Sequence, residues 1–560
     1  MPIKELALFH PAGHLAQPGN PFGKDIANAG LFRALAAHGG YEQVNVLNQL
    51  QLHPQEIAAA LFPDGPMTTA VATAPLHSTD IPARGGVLLR GQPYLSDLAW
   101  VRQSADRGFD YSLVGVVHTL APPAIRELIG ASALAPVEPW DALICSSPVV
   151  QQAMATMFEN WQSYASARYG STHLRSPELA LIPLAVDVER LSIQAKRLDL
   201  RSQFRAQHGI GDDDHVALWV GRLSFYEKAF PQPMFLALEH AAQQVEHAVY
   251  FVMAGWFPDG DRDRRRYQQA AAAYAPSVRL VLVDGNDPEV IGACWPAADV
   301  FLSLVDNIQE TFGLTPVEAM AAGLPVVVSD WDGYRFTVNH GEQGFLIPTL
   351  GSTAPQLGTL LANLHSLSLE TYQTYVGAVA QHTAVDITAA AAALVQLFES
   401  PSLRVRMGAC GQAQAASRFS WPVVVEQYNQ LFDRLTERRL LAGSTMTNEK
   451  ISIVNHPFRG DPFADFGNFA SDRIGPTTLL SRGESFDINV VMTRLQDVEL
   501  DRMFAGIRAD LSEVQQLLLM FDAAASYSLE TLQASFGVER AEYITLAVVW
   551  LCKLGVLRWG

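Results

Sequence analysis

Short apolar runs recur along most of the chain, separated by longer stretches whose apolar positions repeat every three or four residues. Runs of the first kind, bounded by turn residues, read as buried strands, and segments of the second kind as helices with one face on a core. Residues 6–10, 113–118, 142–146 and 180–183 are strands on this reading, with helices such as 26–37 and 148–162 between them. A second set of strands follows at 216–221, 249–254, 278–283, 300–304 and 325–329. Alternation of strand and helix predicts a doubly wound parallel sheet, so the expected fold class is α/β with two Rossmann-like lobes and a cleft between them. The first lobe covers residues 1–190, the second 191–418, and the join lies near 187–198. Residues 349–383 break the rhythm with Gly, Ser and Pro and read as an insertion, and 419–440 is an amphipathic helix crossing back to the first lobe. Residues 441–488 read as a linker and 489–560 as a small, mostly helical accessory domain.

Chemistry concentrates in residues 309–330, Q-E-T-F-G-L-T-P-V-E-A-M-A-A-G-L-P-V-V-V-S-D. Glu310 and Glu318 bracket a turn that opens a short helix; Thr315 is the expected cap, Pro316 the first helical residue and Gly323 the residue past its end. Free N–H groups of Phe312, Gly313, Leu314 and Thr315 at that dipole end would favour a phosphate. Upstream, the run at 216–221 ends in Gly221-Arg222-Leu223-Ser224-Phe225-Tyr226-Glu227-Lys228. A planar guanidinium and a mobile ammonium directly after a buried strand suit a pyrophosphate. Blander roles exist for each. Thr315-Pro316-Val317-Glu318 has the spacing of a capping box, in which Glu318 serves the Thr315 amide; Arg222 could pair with Glu227; His118 could be a strand-end residue satisfied within the fold.

Together the G-R-x5-K and E-x7-E elements resemble the donor half of the retaining family-4 glycosyltransferases, which have the GT-B fold. Leu181-Ile182-Pro183-Leu184-Ala185-Val186-Asp187 and Phe419-Ser420-Trp421 extend that resemblance over residues 1–440. It implies a nucleotide-sugar donor, UDP- or GDP-linked, held without metal or cofactor. It also implies roles: Arg222, Lys228 and the amides near Gly313, Leu314 and Thr315 on the leaving phosphates, Glu318 on the ribose, Glu310 on the transferred sugar, and His118 facing that sugar. Gly285 and Asn286 sit where relatives touch the nucleobase through backbone, and Gly19 and Gly23 where the backbone approaches donor and acceptor. Two departures stand out: relatives often carry a Gly-Gly pair after the first strand, and a Glu where this chain has Asp332-Gly333-Tyr334-Arg335-Phe336. Retaining hexosyl transfer is the expected activity, to a sugar, a peptide or protein, or a lipid-linked acceptor. A disaccharide phosphorylase or synthase of the same fold is the rival enzyme. A scaffold that has lost turnover is the non-catalytic rival, but it would be expected to lack Arg222, Lys228 or Glu310.

Composition narrows the partners. A formal charge of −18 over 560 residues argues against nucleic acid and allows at most peripheral contact with a membrane. With no signal-peptide pattern and no apolar run of membrane-spanning length, a cytoplasmic location is expected. Cys145, Cys294, Cys410 and Cys552 are too scattered for a metal knuckle. The tail from 449 carries 10 Lys/Arg against 15 Asp/Glu, and its helix order ending in Val556-Leu557-Arg558-Trp559 resembles the small winged-helix recognition modules of peptide-modifying enzymes, the PqqD-like type. That resemblance implies recruitment of a peptide or protein acceptor; packing on the catalytic lobes or oligomerisation through this domain are the plainer roles.

Overall fold

Seven parallel strands form the first sheet: β1 (Glu5–Phe9), β2 (Gln43–Asn48), β3 (Ala70–Pro75), β4 (Val87–Arg90), β5 (Ser112–Val117), β6 (Ala142–Cys145) and β7 (Glu178–Leu181), in the order β3-β2-β1-β4-β5-β6-β7. Six more form the second: β8 (His215–Val220), β9 (Val249–Gly255), β10 (Arg279–Asp284), β11 (Val300–Ser303), β12 (Val326–Ser329) and β13 (Gly344–Ile347), in the order β10-β9-β8-β11-β12-β13. Both sheets are doubly wound, as the alternation predicts. The computed structural model describes residues 4–12, 23–49, 52–63, 65–171, 175–445, 456–457, 459–521 and 525–560. The chain divides into two compact units, Met1–Val454 and Asn455–Gly560.

The strands read as continuous apolar runs because both faces of each sheet are covered. In the first sheet Leu6, Leu8, Val44, Val46, Val114 and Val116 point to one side, against Phe32 and Leu35 of helix Gly23–His38 and Tyr428 and Leu431 of helix Trp421–Thr445. Ala7, Leu47, Leu113 and Val117 point to the other, against Met154 and Phe158 of helix Pro148–Tyr169. The long helix 421–445 thus belongs to the core of the first lobe, and Trp421 lies so close to Gly30 that a Cβ there would come within 2.6 Å of its ring. The chain crosses between lobes twice. The two crossings meet where the Val186 N–H donates to the Phe419 carbonyl at 2.9 Å, forming a parallel bridge with Ser420.

The carboxyl ends of the two sheets face each other. Ser146 Oγ, just past β6, donates to the Thr311 carbonyl at 3.2 Å, and Ser147 Oγ to Asp332 Oδ1 at 3.3 Å. Thr311 Oγ1 donates back to the His118 carbonyl, just past β5, at 2.8 Å.

Residues 349–383 are an insertion as expected, and an ordered one: Thr349–Gly351 pairs antiparallel with Thr383–Val385, and the ladder closes an excursion that carries helices Pro355–Ser366 and Tyr372–Ala380. One sequence expectation needs correction: 441–488 is not all linker, because Leu479–Arg482 is the middle strand of the second unit, flanked by Tyr527–Ser528 and Leu557–Trp559. An isolated pattern of Leu479-Leu480-Ser481-Arg482 is too short to register as a strand without partners distant in sequence. Helices Ile488–Asp497, Leu511–Leu519, Leu529–Ala534 and Ala541–Lys553 complete that unit around Leu480, Leu517, Leu532, Ile544 and Val548, with Ser528 capping the third as its spacing suggests.

Candidate active site

In doubly wound sheets ligands sit beyond the carboxyl ends of strands, where the winding reverses. In the second lobe that point lies between β8 and β11, which are adjacent in the sheet though far apart in sequence. The loops leaving those two strands carry Arg222, Lys228 and Glu310. Lys228 Nζ lies 3.2 Å from Glu310 Oε2, so the structure brings together two residues 82 positions apart. Glu310 Oε1 accepts from the amides of Gly313 at 3.0 Å and Thr311 at 3.3 Å. Burial opposes a charge on this carboxyl, but Lys228 and the backbone amides more than offset it, and its pKa falls below the ordinary glutamate value. Arg222 pairs with Glu227 at 2.6 Å, the partner the plainer reading foresaw, and lies over the Trp256 ring. The pair is mostly buried at the mouth of β8, with side-chain exposures of 13% and 11%, so it is not an ordinary solvated pair.

The turn before helix Leu314–Ala321 differs from expectation. Its N-cap is Gly313, at φ 83 and ψ 80, and no side chain caps it. Thr315 is inside the helix, and Glu318 makes no capping contact; the capping-box reading is therefore wrong. Gly313 wins this position because a Cβ there would lie 2.0 Å from the ring of Tyr334, a buried side chain whose hydroxyl is 2.9 Å from Ser303 Oγ. The expectation that all amides from Phe312 to Thr315 face outward also needs correction, since that of Gly313 is taken by Glu310. The amides of Leu314 and Thr315 remain at the first turn. Glu318 is partly buried and, among the described residues, has no hydrogen-bond or ion-pair partner; burial raises its pKa, with Arg190 opposing.

Gly285 and Asn286 follow β10 as expected, but their amides are occupied. Gly285 N–H donates to the Gly255 carbonyl at 3.1 Å, and Asn286 N–H to Asp284 Oδ1 at 2.9 Å. A Cβ on Gly285 would come within 2.5 Å of Gly255, which is why the two strand ends approach this closely.

From the first lobe, His118 Nε2 is 2.9 Å from Asn28 Oδ1, and Asn28 Nδ2 donates to the Gly91 carbonyl at 2.9 Å. The amide orientation makes Oδ1 the acceptor, so Nε2 carries the ring proton. Burial, helped by Lys24, lowers the His118 pKa to about 4, so the imidazole is neutral near pH 7. Gly23 opens helix Gly23–His38, and a Cβ there would meet no described residue within 4 Å; Gly19 lies outside the described residues.

Four participants escaped the sequence reading: Asn28, Gln309, Asp332 and Tyr334. Asp332 holds a positive φ of 40, accepts from Ser147 across the cleft, and has its pKa raised to about 7 by burial, with the nearby Glu310 charge adding. A non-glycine residue in that backbone region was the available signal for none of them, because φ is invisible until partners are placed.

Residues 201–355 match the family model described as Glycosyl transferases group 1. That segment holds β8 to β13 with Arg222, Lys228, Glu310 and Glu318, and the two-lobed α/β architecture is of the GT-B type. Over that segment the second lobe is similar to the group 1 glycosyltransferases. Among curated relatives, a D-inositol 3-phosphate glycosyltransferase of Nocardia farcinica is 27% identical over 319 residues, covering 55% of this chain and 67% of that protein. A phosphatidyl-myo-inositol mannosyltransferase of Mycobacterium leprae is 34% identical over 142 residues, 25% of this chain and 28% of that one. Among solved structures, sucrose-phosphate synthase from Thermosynechococcus elongatus is similar with a TM-score of 0.48 and 20% identity, over 78% of this chain and 100% of that one. Anabaena HepE in complex with UDP and glucose aligns with a TM-score of 0.47 and 15% identity, over 77% of this chain and 100% of that one. Matches to the curated relatives thus span from about a quarter to two thirds of their length. No helix among the described residues is long and apolar enough to cross a membrane.

Proposed function

We propose that this chain transfers a hexosyl group from a UDP- or GDP-linked sugar to a hydroxyl acceptor, with net retention at the anomeric carbon and without a metal ion. The observation that carries this reading is the convergence of Arg222, Lys228 and Glu310 at the winding reversal between β8 and β11. Departure of a nucleoside diphosphate places negative charge on its terminal phosphate. Arg222 and Lys228 are pre-oriented to meet that charge, and Lys228 has donors to spare beyond its bond to Glu310. The first-turn amides of Leu314 and Thr315 add to it at the helix dipole's positive end. Glu318, with no hydrogen-bond or ion-pair partner among the described residues, suits the vicinal hydroxyls of a ribose; Glu310, pinned by Lys228 and two amides, suits a hydroxyl of the transferred sugar. Among the described residues, the first-lobe side chains bonded at the cleft, His118, Asn28, Ser146 and Ser147, include no carboxylate to act as nucleophile. Same-face attack assisted by the leaving phosphate follows. Neutral His118 lines the sugar side and anchors Thr311 through its carbonyl.

The names of the relatives favour an acceptor hydroxyl on a phosphorylated polyol or its lipid; recruitment of a peptide by the second unit is the other acceptor to test. A thermal-shift screen of UDP, GDP and their sugar conjugates tests the donor assignment, since a ligand at a hundred times its dissociation constant stabilises by about 2.7 kcal/mol. Stabilisation by a nucleotide sugar supports the reading. No shift with any of them, together with phosphate-dependent cleavage of a disaccharide, would replace it with a phosphorylase.

A further inference from the structure

The excursion between Thr349 and Val385 reaches the phosphate loop. Its second helix, Tyr372–Ala380, lies against Tyr226 so tightly that a Cβ on Gly377 would sit 3.0 Å from the tyrosine Cβ. From that helix the Tyr372 hydroxyl donates to Gln309 Oε1. Gln309, one residue before Glu310, passes the link on: its Nε2 donates to the Glu227 carbonyl at 3.2 Å, and Glu227 is the carboxylate that holds Arg222. Gln373 supplements it with a long contact, 3.5 Å, to Glu227 Oε1. On the other side, Asn307 Nδ2 donates to the Tyr226 carbonyl at 2.7 Å. The loop after β8 and the loop after β11 are therefore stitched together by side-chain amides, and one end of the stitch is fixed from outside the two loops by Tyr372. Burial, with the Glu227 charge adding, raises the pKa of the Tyr372 hydroxyl, which stays a donor at any working pH.

We propose that Tyr372 is a positioning residue: acting through Gln309, it holds the Arg222 and Glu310 loops in the mutual register that phosphate departure requires. This inference rests on the glycosyltransferase reading above. An amide side chain free to rotate could bond Glu227 or solvent in several ways; with its Oε1 claimed by the Tyr372 hydroxyl, Gln309 presents Nε2 to the Glu227 carbonyl and only one arrangement remains. Tyr372 touches neither loop's reacting groups directly, so its influence is on geometry, and small displacements of a charge-stabilising group weigh on the transition state more than on the bound ground state.

Tyr372→Phe removes one oxygen and leaves the ring. Turnover of whichever UDP- or GDP-linked sugar the wild type accepts should fall about tenfold, while the dissociation constants for UDP or GDP, by calorimetry, stay within about threefold. The same substitution in a Gln309→Ala background should cost almost nothing more, because the route through Gln309 is already gone. Leu357→Gln, on the exposed first helix of the excursion, should leave turnover unchanged. Wild-type turnover in Tyr372→Phe, or a full further loss in the Gln309→Ala background, overturns the proposal while leaving the parent reading intact. A wild-type protein that binds neither UDP nor GDP and turns over none of their sugars overturns both.

Discussion

The Thr311 hydroxyl donates to the His118 carbonyl across 2.8 Å, and the Thr311 carbonyl in turn accepts from Ser146. One residue of the second lobe is thus clasped on two sides by the first, and it directly follows Glu310. Approach of the lobes and placement of the glutamate are mechanically one event, which suits a reaction that must exclude water from a reactive donor.

Glu318→Gln should raise the apparent donor constant several-fold with little change in thermal midpoint, and Glu318→Ala should also melt normally. Gly313 caps the helix and Glu318 bonds no backbone group, so neither change removes a cap. Early melting of the alanine variant in a thermal scan would show that the carboxylate is structural after all.

Gly313→Ala should destabilise the protein by about 2–3 kcal/mol in urea unfolding, from a Cβ driven into the Tyr334 ring and a left-handed backbone that alanine resists. Unchanged stability would contradict the described turn.

Asp332 gives the cleft a pH signature. Its pKa, about 7, lies above the ordinary value of 3.8, so the folded chain holds this proton more tightly than the unfolded one. The associated stability is present below about pH 4 and is lost as the pH rises through 7. His118 works the other way, losing stability as the pH falls below its unperturbed 6.5 toward 4, but that contribution is common to wild type and variant. Asp332→Asn keeps the acceptor for Ser147 and tolerates the positive φ, so relative to wild type it should gain about 1–2 kcal/mol between pH 5 and pH 8 after allowance for partial exposure. Parallel stability profiles for the two proteins would contradict the raised value.

Much of this was legible beforehand for a physical reason. Strands buried on both faces, such as His215–Val220 and Val300–Ser303, leave unbroken apolar runs, and the residues directly after them are where a doubly wound sheet puts ligands. Arg222, Lys228 and Glu310 were found by that route. Edge strand Ala70–Pro75, half exposed and ending in proline, left no such run and was missed, and so were two buried strands, Gln43–Asn48 and Val87–Arg90, whose apolar runs are short or broken by Asn45. The Thr315 cap failed because a local rule met a tertiary one: Tyr334 packs beneath Gly313 and Glu310 takes its amide. Asp332 and Tyr372 were hidden for a related reason, since Ser147 and Gln309, which give them meaning, lie 185 and 63 positions away.

The phosphate clamp is the centre of the account, and Arg222→Gln tests it most directly. Glutamine leaves Glu227 an amide donor, so the fold should hold while the charge aimed at the leaving phosphate is gone. With the nucleotide sugar that the wild type accepts, turnover should drop about a hundredfold, on the order of 3 kcal/mol of transition-state stabilisation. Wild-type turnover in this variant would contradict the assignment of the cleft.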